Sequence, residues 1–149
     1  MNFGTSCRVN FSGLMKKYDL HMELDDKKAR RKIAYLKNET TGIEVIYEST
    51  EDAVFLRLSK LANGQFPIYS TLHQSDADIS NRFYADDLIL LRAPKLRVSP
   101  FIGKSSINKI LHGYSIALEK CADDVLTGDF SVFAVLSKIV KKRTVIDDN

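Results

Sequence analysis

The chain has 149 residues, 44% of them hydrophobic and 28% charged, with a net charge of +3. This composition excludes disordered and collagen-like classes, and the length predicts one domain over residues 1–149. No apolar run approaches the roughly 20 residues that a membrane helix needs, and so small a net charge does not by itself mark a nucleic-acid binder.

Residues 6–18 place Val9, Phe11, Leu14, Met15 and Tyr18 at the spacing of a short amphipathic helix, weakened by Gly13. His21 to Leu24 predicts a first strand. The charged stretch DDKKARRK at 25–32 reads as a hairpin tip. Three further strands follow, at Ile33 to Leu36, Ile43 to Glu48 and Ala53 to Leu58. Each is rich in β-branched or aromatic residues, and polar turns at 38–42 and 49–52 separate them. Gly42 suits the end of a hairpin loop, and such short connections return strands antiparallel. Alternation puts Ile43, Val45 and Tyr47 on one face with Val54, Leu56 and Leu58. That face must be covered. The opposite face is mixed, with Glu44, Ile46, Glu48, Phe55, Arg57 and Ser59.

Residues 62–67 are a turn signal and 68–82 read as a long connection. FYADDLILLR at 83–92 fits a helix better than a short strand, and Lys95 to Val98 reads as extended between Pro94 and Pro100. From Ile107 to Leu126, apolar residues recur at three- and four-residue steps, which predicts one continuous helix over 105–126. Ser105 or Ser106 is its cap and Gly128 its terminator. Asp129 or Ser131 then starts a second helix, whose Lys141, Lys142 and Arg143 complement the negative helix end. The predicted class is α+β: an antiparallel β-meander of about four strands, with a short N-terminal helix and two C-terminal helices packed on one face.

The search for chemistry returns little. His21, His73 and His112 have no metal-ligand spacing, and there is no GxSxG or phosphate-binding GxxxxGK[ST] loop. Cys7 and Cys121 share no motif, and Cys121 falls on the apolar face of a helix. Asp25–Asp26, Asp86–Asp87 and Asp123–Asp124 are adjacent pairs that solvent satisfies, and Asp76 with Asp78 lacks the rest of a calcium loop. No catalytic, cofactor or metal residue is assigned. The basic run 27–32 could meet phosphates, but it reads first as a solvated hairpin end.

The opposite charge is more informative. Between Leu61 and Leu91 one arginine stands against four aspartates, so this stretch carries −3 and the rest of the chain +6. Tyr69, Asp76, Asp78, Tyr84, Asp86 and Asp87 are therefore the candidate partner-binding residues. Tyrosines supply buried anchors, and carboxylates steer a basic protein surface.

Three stretches carry a family likeness: LMKKYDL at 14–20, IAYLKNETTGIEVIYE at 33–48 and CADDVLTGDFSVFAVLSKIVKKR at 121–143. The outline resembles the small cytoplasmic immunity proteins of bacterial contact-dependent inhibition and related polymorphic-toxin systems. The resemblance implies a non-enzymatic protein that binds a toxin domain of its own strain and blocks its active site or an adjacent surface. Many such proteins are strongly acidic because their toxins are basic nucleases, and this net basic chain departs from that pattern. The N-terminal MNFGTSCRVNFSG lacks the apolar core of a signal peptide, which gives a cytoplasmic expectation with no membrane partner. The alternatives are a small enzyme with a carboxylate or histidine site and a nucleic-acid-binding regulator using residues 27–32.

Overall fold

The computed structural model describes residues 2–67, 81–103 and 105–147. The elements in chain order are α1 (Phe3–Tyr18), β1 (His21–Asp25), β2 (Arg31–Lys37), β3 (Thr41–Glu48), β4 (Ala53–Lys60), β5 (Arg82–Tyr84), α2 (Ala85–Arg92), α3 (Ile107–Cys121), α4 (Asp123–Leu126) and α5 (Ser131–Asp147). The class is α+β. The described strands form one antiparallel sheet in the order β1-β2-β3-β4-β5, five strands where the sequence suggested about four.

The register makes one face apolar. Leu36 lies opposite Ile43, Ala34 opposite Val45, Val45 opposite Leu56, and Leu58 opposite both Ile43 and Phe83. All of these are buried in a single core with α1, α2 and α3. α1 starts where the Asn2 side chain accepts the Thr5 N–H at 2.8 Å. It buries Phe3, Cys7, Phe11, Leu14 and Tyr18 along one stripe. α3 starts where the Ser106 hydroxyl accepts the Lys109 N–H at 3.2 Å, and it buries Ile110, Leu111, Tyr114, Ala117, Leu118 and Cys121. Burying such side chains stabilises the fold by about 1.5–3 kcal/mol each before conformational entropy is counted.

Residues 83–92 resolve into both of the readings weighed for them. Phe83 fills the core beside Leu58, while Arg82 and Tyr84 alternate to the other face. Ala85, Leu88 and Ile89 then bury a helical stripe. The outer edge of β4 is shared. β5 pairs with its second half, and Pro100 and Ile102 bond Val54 and Asp52 at its start. Little of that edge is left open for another strand.

The single helix expected over 105–126 is broken at Ala122. Asp123 and Asp124 would sit at the negative end of a longer helix, which disfavours carboxylates. At the start of α4 they lie at the favourable end instead. The Arg92 guanidinium fixes the break, donating to the Cys121 carbonyl at 2.8 Å and to both Asp124 oxygens at 2.7 and 2.8 Å. Pro94–Leu96 is a 3-10 turn rather than extended chain, as the fixed φ of proline at a first helical position allows. Gly128 ends α4 at φ +98°, and the Asp129 carboxylate accepts the Ser131 N–H at the start of α5. α5 runs on to Asp147, so Arg143 lies before its last turn rather than at the helix end.

Candidate functional site

The sheet face turned away from the helices is set by the same alternation. It carries Tyr35 on β2, Glu44 and Ile46 on β3, Phe55, Arg57 and Ser59 on β4, and Arg82 and Tyr84 on β5. Part of it is closed by the chain leaving β4. The Phe66 ring stands edge-on to Tyr35 at 5.2 Å between centroids. A Cβ on Gly42 would overlap the Phe66 ring. Here glycine is required by the close approach of an aromatic ring.

Glu44 lies between Tyr35 and Arg57 in the register and is only 7% exposed. Burial pushes its carboxyl above the usual range, although Arg82, Arg57 and Arg31 oppose that shift. The buried Ser59 hydroxyl beside it also opposes that shift. Burial also pushes the Tyr35 phenol up, with the Glu44 charge adding to it.

Toward the β5 edge the face becomes aromatic and cationic. The Arg57 guanidinium donates to the Tyr84 hydroxyl at 2.9 Å and lies 4.9 Å from the centre of its ring. The Phe55 ring is 6.3 Å from that of Tyr84. Tyr84 nevertheless remains 42% exposed. Beside it is a cleft of about 200 Å³ lined by Arg57, Arg82 and Arg143, with Phe83 and Val140 as its apolar walls and Asp87 at one side. The Asp87 carboxylate is held by Arg143 through two contacts of 3.0 Å.

The candidates read from sequence part company here. Tyr84 is on the sheet face opposite the core and is exposed. Asp86 is turned inward, where the fully buried Tyr114 donates to its two oxygens at 3.0 and 3.2 Å. Burial raises the Asp86 carboxyl above its ordinary value, and the Tyr114 hydrogen bond partly offsets this. Asp87 is in the Arg143 ion pair. Tyr69, Asp76 and Asp78 lie outside the described residues, as does His73. The exposed basic hairpin tip sends Arg31 back to pair with Glu48. Among the described residues no group of acidic, histidine or cysteine side chains could hold a metal ion. No described helix is long and apolar enough to cross a membrane.

The three arginines of the cleft were missed as a group because they stand at 57, 82 and 143. Only the alternation of β4, which turns Arg57 away from the core, hinted at one of them. Comparison with protein-family models, curated proteins and solved structures gives no match.

Proposed function

We propose that the chain is a cytosolic immunity protein that binds a cognate toxin domain and covers its active site or an adjacent surface. The observation that carries this reading is the exposed Tyr84, held by Arg57 and backed by Phe55 on the sheet face opposite the described core helices. Tyrosine and arginine are the residues that most often anchor protein interfaces. Anchors already fixed in the free protein lose little entropy on binding. The family resemblance supports the same reading and supplies the toxin as partner. On this reading the docking surface moves from the carboxylates of the acidic segment to the Tyr84 edge, because Asp86 and Asp87 are engaged internally. The partner surface then carries carboxylates toward Arg57, Arg82 and Arg143.

The test is calorimetric titration of the chain with the toxin domain encoded beside it. Tyr84→Ala should weaken the complex by about thirtyfold, the ~2 kcal/mol of an interface anchor. Failure of wild-type protein to bind that domain or to suppress its toxicity would reject the proposal. A second reading, a small enzyme, has one observation in its favour. Glu44 is a buried carboxyl with a raised pKa beside two arginines, and such carboxyls serve as general acids. It predicts that Glu44→Gln abolishes a reaction while leaving toxin binding unchanged.

A further inference from the structure

A second groove shares no lining residue with the cleft beside Tyr84. It lies between α3 and the link that follows α2, and it holds a space of about 340 Å³. Its floor is aliphatic: Leu96 and Val98 from the link, and Ile110, Gly113 and Ile116 from α3. Ile110 is buried, while Ile116 is 40% exposed. Gly113 lets the two walls meet. A glycine inside a helix is costly relative to alanine, and here a Cβ would come within 3.2 Å of a Val98 methyl. The link is held at both ends. Pro94–Leu96 forms its 3-10 turn at one end. At the other, the Val54 N–H donates to the Pro100 carbonyl and the Ile102 N–H to the Asp52 carbonyl, both at 2.8 Å. Walls fixed in the free protein lower the entropy lost when a partner docks.

The rim of this groove is cationic. Arg97 lines it from the link and Lys109 from α3, and its described lining residues include no carboxylate and no aromatic ring. Both residues are exposed, and neither is in an ion pair among the described residues. The field of Arg97 reaches Asp86, where it opposes the larger effect of burial. The sequence extends the same sign. From Leu88 to Leu118 the charged residues are Arg92, Lys95, Arg97, Lys104 and Lys109, with no Asp or Glu among them. Of these, Arg92 is committed to Asp124. The first turn of α3 holds no acidic residue, so the positive end of that helix adds to the field. We infer that this groove docks an acidic segment of a partner protein, whose apolar side chains enter the aliphatic floor while its carboxylates meet Arg97 and Lys109. An apolar centre supplies contact area, and a charged rim selects the partner. A nucleic acid is disfavoured because no ring on the floor could stack a base. At about 30 Å³ per water, the space equals roughly eleven waters, room for two aliphatic side chains. This surface does not depend on the toxin-binding reading, and its test contains no toxin.

The probe is a fluorescein-labelled peptide, Glu-Asp-Leu-Glu-Leu-Asp-Glu. In extended form its two leucines share a face with the terminal glutamates. Titrated with the full chain at low salt, its fluorescence anisotropy should rise to saturation. With unlabelled peptide, the amide resonances of Leu96, Val98 and Gly113 should shift in the NMR spectrum of the wild-type protein, a readout that needs no variant to fold. Replacing both leucines of the peptide by serine should weaken binding by about tenfold or more. The Arg97→Gln, Lys109→Gln double variant should weaken it by about fivefold or more, an effect that fades at high salt. Ile116→Asp sets a carboxylate against those of the peptide and should cost about tenfold or more. Val135 on α5 is 47% exposed, and Val135→Asp should leave affinity within about twofold. So should the Lys27→Gln, Lys28→Gln double variant, which makes the same charge change at the exposed hairpin tip. The proposal is overturned if the peptide does not saturate, if the leucine-free peptide binds as well, or if the control variants lose as much as the groove variants. It is also overturned if decanoate displaces the peptide and binds more tightly, since the groove would then hold an anionic amphiphile.

Discussion

Removing one hydroxyl from the core separates the structural from the functional reading of Asp86. Tyr114 is fully buried and donates to both Asp86 oxygens at 3.0 and 3.2 Å. Tyr114→Phe keeps the ring and opens almost no cavity, so its cost isolates the hydrogen bond. A bond to an ionised acceptor contributes about 1.5–3 kcal/mol, and in a domain of this size that lowers Tm by roughly 3–12 °C. The pH dependence gives a second check. The folded-state pKa of Asp86 is raised above 3.8, and burial is the main cause. Its contribution to stability is therefore fully present below the unfolded value and is lost as pH rises through the folded value. Tyr114 limits that loss by bonding the ionised form. Without the hydroxyl the folded pKa rises further, and the destabilisation grows from about pH 4 to pH 7. Urea denaturation of both proteins at the two pH values, with constant slope, measures the difference. An equal cost at both pH values, or a cost under about 0.5 kcal/mol at neutral pH, would refute the assignment of Asp86 as a carboxylate supported from the core.

The Arg92 clamp should behave in the opposite sense. Its hydrogen bond holds the Asp124 pKa below the ordinary value, so the pair stabilises above the unfolded pKa and fades as pH falls through the folded one. Arg92→Gln should cost about 1–3 kcal/mol at neutral pH and much less near pH 2, measured by thermal melts; an unchanged cost in acid would contradict this. Burial pushes the Cys7 thiol up to about 12, with the Arg8 charge opposing it. Native protein at pH 8 should therefore leave Cys7 unlabelled by a thiol reagent until urea opens the fold, and labelling at the rate of a free cysteine would contradict the burial of α1.

The meander was legible because its code is local. Ile43, Val45 and Tyr47 alternate against Glu44, Ile46 and Glu48, and the short turns leave only the antiparallel return. The cap at Ser106 and the terminator Gly128 were equally readable. The break at Ala122 was not, although Asp123 and Asp124 carried a signal in sequence. Apolar periodicity runs through to Leu126, and what turns the two aspartates into a new helix start is Arg92, some thirty residues away. The fifth strand was hidden for a similar reason. Three residues show no period, and Phe83 reads as strand only once Leu58 stands beside it.

The acidic segment shows how a charge sum can mislead about a surface. Four aspartates against one arginine describe composition, not direction. Of the two described, Asp86 points to Tyr114 in the core and Asp87 is 11% exposed beneath Arg143. Arg143 itself is 54% exposed, and Tyr84 stands out beside it. Among the described residues the outward-facing charge at this edge is therefore cationic, in a chain that is cationic overall. Long-range attraction acts on the charge that reaches solvent. A partner drawn to this edge is thus selected for carboxylates or phosphates, the reverse of what the local sum suggests. In the proposed complex, association speed and its salt dependence belong to Arg57, Arg82 and Arg143, while residence time belongs to Tyr84.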